Sequence, residues 1–174
     1  VNLYDSLESY DYKKNNSQYM GDFSAPKLDV VRVAFIGVGA RGSGHAKQIA
    51  AIEGTEVVGI SDLYKDLAEK SSIICQGIGN GKRHKNIAIY SGNKDKWIAM
   101  LKEVKPDAVF ISTNWDNHAP MAIETMKSGA HAFVEVPMAT SIEDLWDIVN
   151  TSEKTRKHCM MMENVNYGRD ELMY

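Results

Sequence analysis

The 174-residue chain is long enough for one domain with its own core and an appendage, and its 44% hydrophobic and 25% charged residues describe an ordinary globular polypeptide. A formal net charge of −3 offers no basic field for nucleic acid or an anionic membrane, and no apolar run approaches the length of a membrane span. Cys75 and Cys159 are too few and too far apart for a disulfide framework or a zinc site, so no metal is expected and cysteine usage leaves the compartment undetermined.

Residues 1–29 are polar, rich in Asn and Tyr, and without sustained periodicity. They read either as an extended arm lying on the domain or as a disordered segment, ending at Pro26 just before the first strand. They carry no charged-then-apolar signal pattern, although a start at Val1 rather than Met suits a chain whose leader has been removed. Residues 30–174 form the expected domain.

Val31–Ile36 is an apolar run long enough for one buried strand and too short for a helix. Gly37-Val38-Gly39-Ala40-Arg41-Gly42 follows, a G-x-G-x-x-G loop. Next come a helical pattern (Ala46, Ile49, Ala50) and a second apolar run, Val57–Ile60, ending in Ser61-Asp62. Alone the glycine pattern is weak, but a strand before it, a helix after it and an acid about 20 residues on make it a dinucleotide fingerprint. Gly37 permits the tight turn, Gly39 lets the backbone approach a pyrophosphate, and Gly42 allows close helix–strand packing. Ala40 and Arg41 open the helix whose free N–H groups would face the phosphates. Asp62 can accept hydrogen bonds from both ribose hydroxyls and would repel a 2′-phosphate, which favours NAD over NADP. The competing reading is an ordinary Gly-rich strand–helix turn.

A helix is expected over about Tyr64–Gln76, stopped by the Gly77–Gly81 stretch. The basic loop Lys82–Lys85 is assigned no role. Ile87–Tyr90 reads as a third strand, and Lys94–Val104 as a helix with Trp97, Met100, Leu101 and Val104 on one face. Asp107–Thr113 is the fourth strand, running through Asn114–His118 into a helix over about Ala119–Ser128. His131–Glu135 is the fifth, ending at Val136-Pro137. Ser141 caps the next helix, and His158–Glu163 is the sixth strand. Strands alternating with helices throughout give an α/β fold: a doubly wound parallel sheet of Rossmann type.

In such a sheet ligands lie outside the carboxyl ends of the strands. That rule gathers Thr113, Asn114, Trp115 and His118 after strand four, Glu135 after strand five, and Asn164 and Tyr167 after strand six. All would converge on the nicotinamide end of a dinucleotide laid across Gly37–Gly42. Each has a plainer reading as well: His118 as a helix cap, Glu135 as a solvated loop acid, Tyr167 as a hydrogen-bonded core tyrosine. His84, His131 and His158 fall on the wrong edge and are expected to be structural or exposed.

At these residues the sequence resembles the Gfo/Idh/MocA family of sugar oxidoreductases. Most of that family carries Glu-Lys-Pro after strand five, with the lysine assisting proton transfer at a sugar hydroxyl; here the motif is Glu135-Val136-Pro137. Valine neither donates nor accepts a proton. Together with Trp115-x-x-His118 and Met162-Glu163-Asn164-x-x-Tyr167-Gly168-Arg169, the substitution resembles the NAD-dependent α-N-acetylgalactosaminidase branch, apart from Asn114, where that branch has proline. The resemblance implies a glycosidase that works without net redox change. The sugar is transiently oxidised at C3, the acidified C2 proton is removed, the C1 glycosidic bond eliminates, water adds, and the hydride returns. This differs from the usual pair of carboxylates flanking the bond.

In that reading Gly37, Gly39, Ala40, Arg41 and Gly42 hold the pyrophosphate and Asp62 the adenosine ribose. Thr113, Asn114, Trp115, His118 and Asn164 line the nicotinamide half, and Glu135 meets the nicotinamide ribose or the substrate edge. Tyr167, His118 and Glu135 are the catalytic candidates in this chain. The family's remaining catalytic His and Tyr would lie on a second domain beyond Tyr174, through which any homo-oligomer would form. Residues 1–174 alone are then expected to bind NAD with little or no turnover. A net sugar dehydrogenase and a non-catalytic NAD-binding module are the alternatives.

Overall fold

The computed structural model describes residues 19–78 and 83–163, together with Met173. Among the described residues six strands alternate with five helices. They are β1 (Val31–Ile36), α1 (Ala40–Ala51), β2 (Thr55–Asp62), α2 (Lys65–Gln76), β3 (Ala88–Ser91), α3 (Lys96–Val104), β4 (Ala108–Ile111), α4 (Trp115–Lys127), β5 (His131–Glu135), α5 (Ile142–Thr155) and β6 (Cys159–Met162). All pairings are parallel, in the order β3-β2-β1-β4-β5-β6. Because β1 and β4 are adjacent, the chain reverses direction across the sheet between them, and a crevice opens there at the carboxyl edge.

Central strands of a parallel sheet are covered on both faces, so β1 and β4 are apolar at nearly every position rather than alternating. One face packs Ala34, Ile36, Val109 and Ile111 against Met100, Leu101, Met121, Met126 and Ile148. The other packs Val33, Phe35 and Ile60 against Ala46, Ala50, Ala68 and Cys75. Phe35, Phe110 and Phe133 lie in register on three neighbouring strands and stack at 5.4 and 4.7 Å between ring centroids.

One element departs from the sequence expectation. Helix α4 starts at Trp115 rather than near Ala119, so Trp115–His118 form its first turn. Pro120 lies inside the helix, where it forfeits one backbone bond and crowds the carbonyl four residues before it. His84, expected to be structural or exposed, is structural: it is fully buried. Its Nδ1 accepts the Val57 N–H at 3.0 Å and its Nε2 stands 3.0 Å from the Ala50 carbonyl oxygen.

At the amino edge Arg32 anchors β1 to the end of α3, donating to the Val104 and Lys105 carbonyls at 2.7 and 2.8 Å. The described part of the arm lies along this edge: the Phe23 ring sits 5.1 Å from that of His158 and beneath the Arg156 guanidinium at 4.5 Å. A mostly apolar cavity of about 360 Å³ opens there between Pro26, Val31, Phe133 and His158, at the opposite end of the strands from the glycine loop.

Candidate functional site

The loop from β1 into α1 has the shape its glycines require. Gly37 adopts φ +83, a left-handed conformation, and a Cβ there would stand 2.5 Å from the Ser112 carbonyl oxygen. A Cβ on Gly42 would run into the Gly37 carbonyl, so α1 could not lie this close to β1. Around Gly39, by contrast, a Cβ would meet nothing within 4 Å. The first two glycines named serve packing; Gly39 leaves open space at the start of a helix. That helix has no side-chain cap and no acid in its first turn, so its N–H groups and the positive end of its dipole face the opening. Ala40 and Arg41 are exposed beside it.

Asp62 ends β2 with its carboxylate against the loop. Oδ2 accepts the Val38 N–H at 2.7 Å and Oδ1 the Tyr64 N–H at 2.9 Å. At the end of β4 the Ser112 hydroxyl is buried and has no partner, directly beneath Gly37 and Gly42. Sequence reasoning passed over this serine. A buried hydroxyl without a partner is uncommon and calls for a ligand or an ordered water. An open approach at Gly39, an uncapped helix start and an orphaned donor at the crevice suit the phosphates of a dinucleotide.

His118 is buried within α4 and joins two strand ends: Nδ1 lies 2.7 Å from the Pro137 carbonyl oxygen and Nε2 3.1 Å from that of Thr113. Each ring nitrogen thus faces a backbone carbonyl, and the one that carries the hydrogen donates to it. Thr113 and Asn114 flank this brace, with Asn117 donating to the Asn114 side-chain oxygen, and Trp115 projects outward, 63% exposed.

Glu135 meets a residue that the sequence did not single out. Its Oε1 lies 2.5 Å from Nε2 of His45 on α1, and its Oε2 accepts the Val136 N–H at 3.3 Å. The signal for His45 was its place one helical turn beyond Gly42, on the helix that crosses the carboxyl edge. The Val136–Pro137 peptide is cis, and Val136 is 39% exposed. Asn164 and Tyr167 lie outside the described residues. His131 and His158 are at the amino edge, where the His131 Nδ1 accepts the His158 N–H at 2.9 Å, and neither reaches the site. Among the described residues no group of His, Cys, Asp and Glu is arranged to hold a metal ion, and no helix is long and apolar enough to cross a membrane.

The Gfo/Idh/MocA oxidoreductase family with an NAD-binding Rossmann fold matches residues 31–163. The chain is 57% identical over 162 residues to glycosyl hydrolase family 109 protein 1 of Akkermansia muciniphila, covering 93% of this chain and 33% of that protein. It is 50% identical over 149 residues to an alpha-N-acetylgalactosaminidase of Shewanella oneidensis, covering 86% and 32%. It therefore spans about a third of the length of the curated relatives it matches. Among solved structures, an NAD-binding protein from Listeria innocua superposes with a TM-score of 0.66 at 27% identity, over 82% of this chain and 38% of that one. The WlbA dehydrogenase of Bordetella pertussis, solved with NADH and UDP-GlcNAcA, shares the fold with a TM-score of 0.69 at 20% identity, over 83% and 40%. The chain belongs to the Gfo/Idh/MocA family of oxidoreductases with an NAD-binding Rossmann fold.

Proposed function

We propose that this chain is the NAD-binding part of a glycosidase that cleaves N-acetylgalactosaminides or related glycosides through transient oxidation of the sugar. The observation that carries the reading is Val136: at the carboxyl edge, where the family keeps a proton-transferring lysine, stands a half-exposed side chain with no proton to give or take. Net oxidation of a hydroxyl lacks its usual base at this position. The high identity to proteins named as family 109 glycosyl hydrolases and as an alpha-N-acetylgalactosaminidase supports the same choice.

Bound NAD would supply a hydride acceptor able to return what it takes, so the cofactor carries the hard step. The chain's residues bind and orient. Gly39, Ala40, Arg41 and Gly42 hold the pyrophosphate through backbone N–H groups at the start of α1 and the Arg41 cation, while Gly37 shapes the turn before them, its own N–H being donated to the Ser61 carbonyl at 2.8 Å. Asp62 takes the adenosine ribose, since each carboxylate oxygen keeps a lone pair beside the bond it already accepts. Thr113, Asn114 and Trp115 line the nicotinamide half, and Glu135 meets its ribose or the substrate edge. His118 holds the ends of β4 and β5 at a fixed separation beneath that half. Asn164 and Tyr167 are assigned to the cofactor and to the sugar, respectively.

Calorimetric titration of the chain should show NAD binding and NADP binding at least about tenfold weaker, with the preference lost in D62A. The reaction is tested on the full-length protein carrying this domain, with p-nitrophenyl α-N-acetylgalactosaminide and absorbance in the NADH band. Nitrophenol release without accumulating NADH is the expected result. Accumulating NADH without cleavage would make the protein a sugar dehydrogenase, and NAD binding with neither signal a non-catalytic module.

A further inference from the structure

The contact between His45 and Glu135 spans the crevice from the middle of α1 to the end of β5. It is half-sheltered: the side chains are 24% and 14% exposed, and the separation is 2.5 Å. The surface pair Lys65–Glu69 offers a contrast, with a 3.3 Å separation and side chains 71% and 49% exposed. A short charge-assisted bond out of bulk water holds its geometry far better than a solvated pair. The two Glu135 oxygens are also unequal. Oε1 is gripped by His45, whereas Oε2 has only a 3.3 Å bond from the adjacent Val136 N–H.

We infer that His45 is a positioning residue for the cofactor: it fixes Glu135 through Oε1 so that Oε2 is presented to a hydroxyl of the nicotinamide ribose. This rests on the assignment of Glu135 as a cofactor contact. A glutamate left unanchored at the crevice would have to surrender its rotamer freedom when the ligand arrives, and one already held does not. The same bond makes α1 common to both ends of the ligand. The start of that helix faces the pyrophosphate, and its middle steadies the group that meets the ribose.

The test uses the chain itself, with NAD affinity from calorimetry and the ligand-free melting temperature measured alongside. Glutamine places its amide nitrogen about where Nε2 stands, and asparagine about where Nδ1 stands. H45L and H45N are expected to weaken NAD binding about tenfold, and H45Q to recover most of that loss. E135A weakens binding by itself, and adding H45L to it should produce no further loss, because the two residues act through one contact. If E135A leaves affinity unchanged, the assignment of Glu135 falls. If E135A weakens binding but H45L does not, or adds its full effect on top, Glu135 stands and the role of His45 is overturned. A purely architectural His45 would lower the melting temperature equally in H45N and H45Q without separating their affinities. That contrast remains available should H45L fail to fold.

Discussion

His84 supplies a strand partner that the sheet lacks. Pairing between β2 and β3 begins at Gly59, so the Val57 N–H reaches no residue of β3, and the His84 imidazole takes it instead. The same ring contacts the last turn of α1 at Ala50, which makes it an internal strut rather than part of a solvated basic loop. H84A should cost about 2–5 kcal/mol, since it leaves a buried donor and a buried acceptor unmet and opens a cavity. H84N, which retains an acceptor near Nδ1, should recover part of that in urea denaturation. A loss below about 1 kcal/mol for H84A would show that water replaces the ring. Both cysteines are similarly removed from chemistry: burial pushes the Cys75 thiol up to about 11 and the Cys159 thiol to about 12, far from the reactive thiolate range.

Among the elements, the helix starts divide by what they face. Ser141 caps α5 in the expected way, accepting the Asp144 N–H at 3.1 Å while donating to the Asp144 carboxylate at 2.8 Å. S141A should cost about 1 kcal/mol, read as a lower melting temperature. Helix α1 begins bare. That difference was legible in sequence, because Ser-x-x-Asp and Gly-x-x-Gly are local patterns and each dictates its own turn. The strands were equally legible from their unbroken apolar runs. Contacts between elements distant in sequence were not: His45–Glu135, the His118 brace and the Ser112 hydroxyl beneath the loop depend on how helices settle on the sheet, which no local pattern encodes. The start of α4 was misplaced for a related reason, since its first turn carries His118 against the Pro137 carbonyl, a contact with a strand end distant in sequence.

For the whole molecule, the sheet separates two kinds of edge. At the amino edge, burial and the nearby Lys157 and His158 hold His131 below its ordinary value of 6.5, with Asp107 opposing them. An unfolded chain takes up a proton at this histidine near pH 6.5, whereas the folded chain resists until lower pH. Stability should therefore fall as the solution is acidified through that window, and above it the contribution vanishes because the ring is neutral in both states. H131N, whose side-chain oxygen can accept the His158 N–H, should flatten part of that slope in denaturation followed from about pH 7 to 5. Equal slopes for the two proteins would rule this out. The carboxyl edge behaves otherwise. Asp62 holds the Val38 and Tyr64 N–H groups through the chain's own bonds, so the glycine loop is set by the fold. Association of a dinucleotide then has no loop to wait for. It should proceed in a single phase whose rate rises linearly with ligand concentration, and affinity differences among loop variants should appear in how long the ligand stays.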